Sequence, residues 1–165
     1  MDKSIEESLR NLVRGRAVAA LGTLNDGDPF VSMVPYVLHG PGAAILIHVS
    51  GLSAHTRHML EHPRVSLMVA APENSVDDDG RVIEAQALPR ATLQGEAQRL
   101  NPAGPDYAAG KAAYLKRYPT AEQMFELPDF SLFAIRPQSV RFIAGFGRAH
   151  SLTPEGWALA LHSIG

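Results

Sequence analysis

Residues 16–38, RAVAALGTLNDGDPFVSMVPYVL, decide the fold. Arg16 to Leu24 reads as a strand, and Phe30 to Leu38 as a second strand returning beside it. Between them, Asn25-Asp26-Gly27-Asp28-Pro29 is turn chemistry: an Asp-Gly pair closes a tight hairpin because glycine takes a positive φ without a Cβ penalty. Two antiparallel neighbours joined this tightly commit the chain to a β-meander. Pro35 has no N–H to give to a ladder, so the second strand belongs at a sheet edge or carries a bulge.

The pattern extends in both directions. Upstream, Ser4-x-x-Glu7 has the form of a capping box, and Ile5, Leu9, Leu12 and Val13 follow at helical spacing. They predict an amphipathic helix from Ser4 to Arg14. Downstream, His39-Gly40-Pro41-Gly42 turns the chain into a third strand, Ala43 to Val49. Ala54 to Glu61 is a short helix closed by His62-Pro63. Val65 to Ala71 is a fourth strand, and Pro72 to Arg81 a polar loop. Ala91 to Arg99 alternates as a strand, and Gly95 within it predicts a bulge or a close backbone approach. Pro105 to Tyr118 is a helix, and Thr120 to Glu126 adds another turn or two. Ser131 to Ile135 and Ser139 to Ala144 are strands on either side of Arg136-Pro137, and a last helix opens at Pro154. About six strands with short helices between them give a mixed α+β, mainly β fold around one antiparallel sheet. No repeat or linker divides the chain, so residues 1–165 read as one domain.

Composition narrows the function. The chain has 165 residues, 45 % hydrophobic and 19 % charged, enough apolar mass for a packed core. A net charge of −2 and a pI near 6.4 exclude the basic footprint of a nucleic-acid binder. Any anion must be held by local donors rather than by a global field. There is no cysteine, which excludes disulfides, thiolate metal sites and a cysteine nucleophile. The opening MDKSIEESLR is charged with no apolar stretch behind it, and no run is long enough for a membrane helix. These features predict a soluble cytoplasmic protein.

The chemistry concentrates in Ile47-His48-Val49-Ser50-Gly51-Leu52-Ser53-Ala54-His55-Thr56-Arg57. A strand ends, a Ser/Gly loop follows, and a helix opens with Ser, His, Thr and Arg in its first turn. Free N–H groups and the positive end of the helix dipole meet there. Two hydroxyls and a guanidinium add donors suited to a phosphate dianion. An ordinary N-cap by Ser53 beside a solvated Arg57 is the plainer reading of the same residues. His55, His58 and His62 recur at i, i+3 and i+7, but no carboxylate pattern accompanies them, so a solvated histidine face is favoured over a metal site. Gly145-Phe146-Gly147 is too short for a dinucleotide fingerprint and lacks the helix one needs. No G-x-S-x-G frame surrounds Ser53, and no spacing nominates an acid/base pair. A cofactor-dependent protein needs few catalytic side chains, because the cofactor carries the chemistry.

Several ordered pieces resemble one family. They are Val18-Ala19-Ala20-Leu21-Gly22-Thr23-Leu24, Val31-Ser32-Met33-Val34-Pro35-Tyr36, Leu52-Ser53-Ala54-His55-Thr56 with Pro63-Arg64-Val65-Ser66-Leu67, Arg90-Ala91-Thr92-Leu93-Gln94-Gly95, Asp129-Phe130 and Gly145-Phe146-Gly147-Arg148-Ala149. Together they resemble the FMN-binding split-barrel proteins related to pyridoxamine 5′-phosphate oxidase, and within these the haem-utilisation (HugZ-like) branch. The resemblance implies a six-stranded antiparallel split β-barrel with flanking short helices. It also implies a homodimer with two FMN sites at the interface. By the same analogy Ser32, Met33, Val34 and Pro35 lie along the flavin ring, mostly through backbone. His48, Val49 and Ser50 form the next wall. Ser53, His55, Thr56 and Arg57 take the phosphate, and Arg90 reaches in from the other subunit.

Two departures qualify the activity. Haem-degrading members of the branch carry further sequence with an axial histidine, and neither His150 nor His162 stands in such a motif. The tail SLTPEGWALALHSIG lacks the arginine-rich segment that binds pyridoxamine phosphate. The expectation is an FMN-dependent oxidoreductase acting on a small substrate through flavin N5. The alternative is a non-enzymatic FMN or haem carrier.

Overall fold

The hairpin forms as its turn chemistry requires. In the computed structural model, which describes residues 2–162, β1 (Val18–Asn25) and β2 (Asp28–Pro35) pair from Asn25↔Asp28 to Val18↔Pro35. Asp26 and Gly27 take φ values of 51° and 89°, the positive pair that a two-residue hairpin turn demands. The remaining strands are β3 (Val37–His39), β4 (Ala44–Ser50), β5 (Arg64–Ala70), β6 (Arg90–Arg99), β7 (Phe130–Ile143) and β8 (Ala149–Leu152). All belong to one 8-stranded antiparallel sheet in the order β2-β1-β5-β6-β7-β4-β3, with β8 added to β7. The sheet is not closed; β2 and β3 end its path.

The strands differ from the expected six in three places. The run 30–38 breaks at Tyr36, whose side chain turns inward so that its hydroxyl donates to the Val13 carbonyl at 2.6 Å. Pro35 therefore ends an edge strand, as its missing N–H required. The two runs around Arg136-Pro137 fuse into one long β7. Pro137 is tolerated because the β6–β7 register shifts between Gln94 and Gly95, a bulge that absorbs the lost ladder bond. Gly145-Phe146-Gly147-Arg148 is a tight turn closed by Ala144 N–H to Arg148 O at 2.9 Å. It returns the chain as β8, which sequence alone did not reveal.

Helices cover both faces. α1 (Lys3–Gly15) is capped by Asp2, which accepts from the Ser4 amide at 3.0 Å, rather than by the expected Ser4 box. Its Leu9 and Val13 join Leu21, Ile45, Ile47, Leu67, Leu93 and Phe142 in the main core. α5 (Pro154–His162) adds Trp157, whose indole N–H donates to Ala43 O at 2.9 Å. On the opposite face of β4 and β7, α3 (Pro105–Arg117) lays Tyr114 against Leu46, Leu100 and Leu132. Two short elements close the rest. α2 (Ala54–Glu61) packs on β1, and α4 (Glu122–Phe125) precedes β7.

Gly95 is the tightest point of the sheet, since a Cβ there would overlap the Arg136 carbonyl oxygen. Gly95→Ala should therefore lower the unfolding free energy by about 2 kcal/mol or more. Gly110→Ala, whose Cβ would meet only leucine side chains at 3.2 Å, should cost clearly less. Urea unfolding of both variants measures the difference.

Candidate functional site

The turn between β4 and α2 is built by hydrogen bonds that use some of its donors and spare others. Ser53 N–H donates to Ser50 O at 3.1 Å, and Thr56 N–H to Ser53 O at 3.1 Å. The Thr56 hydroxyl donates to Ser50 O at 2.6 Å and is buried, so Thr56 shapes the turn. The amides of Ala54 and His55 open the helix and have no intrahelical acceptor. The Ser53 hydroxyl makes no capping bond. Among the described residues the exposed Arg57 guanidinium has no partner either. One hydroxyl, two amides and one guanidinium therefore stand free in a single turn, a donor set suited to phosphate or carboxylate.

Histidines fasten this turn to the β1–β2 hairpin. His55 Nδ1 lies 3.0 Å from the Ser32 hydroxyl, and His58 Nδ1 lies 2.9 Å from the buried Thr23 hydroxyl. Phe30 meets the His58 ring edge-on at 5.1 Å. The histidine series read from the sequence thus spends two members on hydroxyls. Burial, and then the neighbouring His58, push the His55 pKa down. Its Nε2 is enclosed by protein atoms and has no partner.

β2 presents two unlike faces. Ser32 and Val34 turn inward, Ser32 to His55 and Val34 into the core. Val31 and Met33 turn outward and are 69 % and 63 % exposed. Register carries this outward row across the sheet: Met33 opposes Ala20, and Ala20 opposes Met68, which is also exposed. Arg90 continues the same face on β6, but its guanidinium bonds to Leu88 O at 3.0 Å and Gln86 O at 3.2 Å within its own chain. β2 is also the sheet edge, so one side of its backbone is unpaired.

His48 lies elsewhere. Its ring is 7 % exposed and faces the α3–α4 layer. It stacks on Phe125 at 3.6 Å and 4°, with Phe130 at 5.1 Å and Tyr114 at 5.8 Å. Its Nε2 has no partner. Burial, reinforced by the Lys111 charge, pushes its pKa down to about 4. Val49 packs into the core, and Ser50 donates from its hydroxyl to Asp129 Oδ2 at 2.7 Å. Of the predicted residues, Ser32, Ser53, His55, Thr56 and Arg57 are brought together around the β2 edge. The His48 ring and the Arg90 guanidinium are directed away from that cluster within one chain. Asp129 entered the sequence reading only through the Asp129-Phe130 resemblance, and its contact to Ser50, which spans 79 positions, had no local signal. The larger grooves of a single chain also lie elsewhere; one of about 520 Å³ sits between His39–Gly42, Arg136 and Glu155.

Residues 5–144 match the pyridoxamine 5′-phosphate oxidase family. The chain belongs to that family. Its relatives include the chloroplastic haem oxygenase HOZ of Arabidopsis thaliana, 32 % identical over 146 residues, which cover 87 % of this chain and 41 % of that protein. Haem oxygenase HutZ of Vibrio cholerae is 25 % identical over 153 residues, 92 % of this chain and 82 % of that one. The structure of a haem binding protein from Mycobacterium smegmatis superposes with a TM-score of 0.80 at 34 % identity, covering 96 % of this chain and 61 % of that one. The chain thus spans less than half of the plant protein and under two thirds of the mycobacterial one. The fold neighbours support the split-barrel type predicted from the sequence. No helix among the described residues is long and apolar enough to cross a membrane.

The buried, neutral His48 makes stability pH-dependent. Its pKa falls from 6.5 in the unfolded chain to about 4 in the fold, so between these values only the unfolded chain takes up the proton. The contribution is complete above pH 6.5 and is lost as pH falls toward 4, up to about 3 kcal/mol. His48→Phe should flatten this acid limb in urea unfolding followed from pH 7 to pH 4.

Proposed function

We propose that this chain is a haem-binding protein of the haem-utilisation type. In this reading it pairs with a second copy of itself and holds its ligand along the β2 edge, with the ligand's anionic groups at the start of α2. One juxtaposition carries the reading. Exposed apolar side chains of β2 and β5 (Val31, Met33 and Met68) flank an edge whose inner side is stitched to a turn with unspent anion donors. Haem is a flat apolar disc with two carboxylates, and burying such a disc and pairing its carboxylates draws on both features. The named activities of the relatives support the same ligand class. Because His55 Nε2 is enclosed, the fit concerns the ring and its carboxylates. Apolar exposure of this extent on an edge strand suits a second copy as the covering partner.

A second reading, FMN, is favoured by the β2 edge itself. A strand edge offers backbone N–H and C=O groups, and the flavin ring has polar atoms along its rim to meet them, whereas a porphyrin rim has only its carboxylates. In that reading Ser32, Met33, Val34 and Pro35 border the ring through backbone, and the chain at His48, Val49 and Ser50 continues the wall. Ser53, His55 and Arg57 hold the phosphate around the turn that Thr56 shapes. Arg90 acts across the dimer after exchanging its carbonyl partners. Bound FMN would supply electron or hydride exchange at N5 with a small substrate. The protein's own part is to bind, orient and exclude water.

Titration with hemin and, separately, with FMN tests both readings. Hemin should give a saturable Soret band at one equivalent per chain, and FMN a saturable quenching of its fluorescence if the second reading holds. Arg57→Ala and Ser53→Ala should each weaken the ligand that binds; a lost charge-assisted contact is worth about 1.5–3 kcal/mol, roughly tenfold or more in affinity. Met33→Glu should yield monomers in sedimentation and lose ligand with them. A wild-type chain that binds neither ligand ends the proposal.

A further inference from the structure

The turn that carries the free donors is held from outside. Residue 129, at the mouth of β7, contacts it twice. The Ser50 hydroxyl donates to Asp129 Oδ2 at 2.7 Å. The Gly51 amide donates to Asp129 O at 2.6 Å. A Cβ at Gly51 would stand 3.0 Å from that same carbonyl oxygen, so the approach admits only glycine without a shift. The Ser50 hydroxyl in turn accepts from the Leu52 amide at 3.1 Å. Asp129 thereby directs Ser50, Ser50 directs Leu52, and the amides of Gly51 and Leu52 are withdrawn from the ligand side.

The tether is anchored behind Asp129 as well. Phe130 follows it and leans on the His48 ring, which Phe125 covers from α4. The α4–β7 connection is thus bound to β4 by contacts of two half-buried phenylalanines with the buried His48 ring. Leu52, 90 % exposed, has no packing to hold the turn by itself.

We infer that Asp129 is a positioning residue for the anion turn: through Ser50 and Gly51 it sets the backbone of residues 50–53, so that Ser53, the first helical amides and Arg57 converge on one anion. This rests on the ligand reading above. Its sign separates it from simple electrostatics. A carboxylate close to an anion repels it, so a purely coulombic Asp129 would make its removal tighten binding. A positioning Asp129 makes removal weaken binding, and Asn, whose Oδ1 still accepts from Ser50, rescues it.

The test uses Asp129→Ala, Asp129→Asn and Ser50→Ala in the full chain, titrated with hemin and with FMN. Each is paired with a form lacking the anion: hemin dimethyl ester and riboflavin. The expected result is a tenfold or greater loss of the anionic ligand in Asp129→Ala and Ser50→Ala, little change for the ester or riboflavin, and recovery to within threefold in Asp129→Asn. Amide hydrogen exchange over residues 50–57, measured without ligand, should rise in Asp129→Ala and return in Asp129→Asn. Tighter binding in Asp129→Ala, an equal loss for charged and uncharged ligands, failure of Asp129→Asn to recover, or unchanged exchange overturns the inference. Wild-type protein that binds neither hemin nor FMN, with exchange still responding to Asp129→Ala, overturns the ligand reading and with it the inferred role toward an anion.

Discussion

The structure depends on a bend in β7. This strand runs from Phe130 to Ile143 and pairs with β6 along almost its whole length. On its other side it serves two partners. Phe130 to Ile135 pair with β4, and Val140 to Ile143 pair with β8. The register shift at Gly95, with Pro137 on the opposing strand, supplies the bend. Proline would weaken a regular central strand, yet here its missing donor coincides with a break in the ladder. The same bend sends the early part of β7 to β4, which brings Asp129 against the β4–α2 turn.

Local chemistry was legible wherever it was self-contained. Asp26-Gly27 specifies a hairpin turn, and the structure has it. The apolar spacing from Ile5 to Val13 specifies a helix, and α1 buries those residues. Pro35 specifies an edge, and β2 is one. What the residues could not announce was pairing over distance. Arg136-Pro137 looked like a strand end because the bulge that excuses it depends on Gly95, far upstream. β8 is four residues after a glycine turn, too short to read without its partner. Six expected strands became eight through such non-local effects.

The candidate site shows the same division. The helix start at Ser53 and the donors around it were visible as sequence, since capping and dipole effects act within one turn. The orientation of His48 was not. In β4 alternate residues face opposite layers, and Ile47 and Val49 fill the main core while His48 enters the aromatic layer beneath α3. Register, set by pairing with β7, decides this. Ser32 and Met33 are split in the same manner: one fastens α2 through His55, the other is offered to solvent. Adjacent residues on one strand therefore differ, one an internal fastening and the other exposed.

The prolines on β2 have a consequence for newly made chains. Pro29 and Pro35 stand near the two ends of the strand, and neither can donate to a neighbour. An open edge is a template for indiscriminate strand addition, the route to aggregates. With both ends blunted, only the stretch 30–34 is fully competent to recruit another backbone. The exposed strand thus resists growth into a continuous cross-β array.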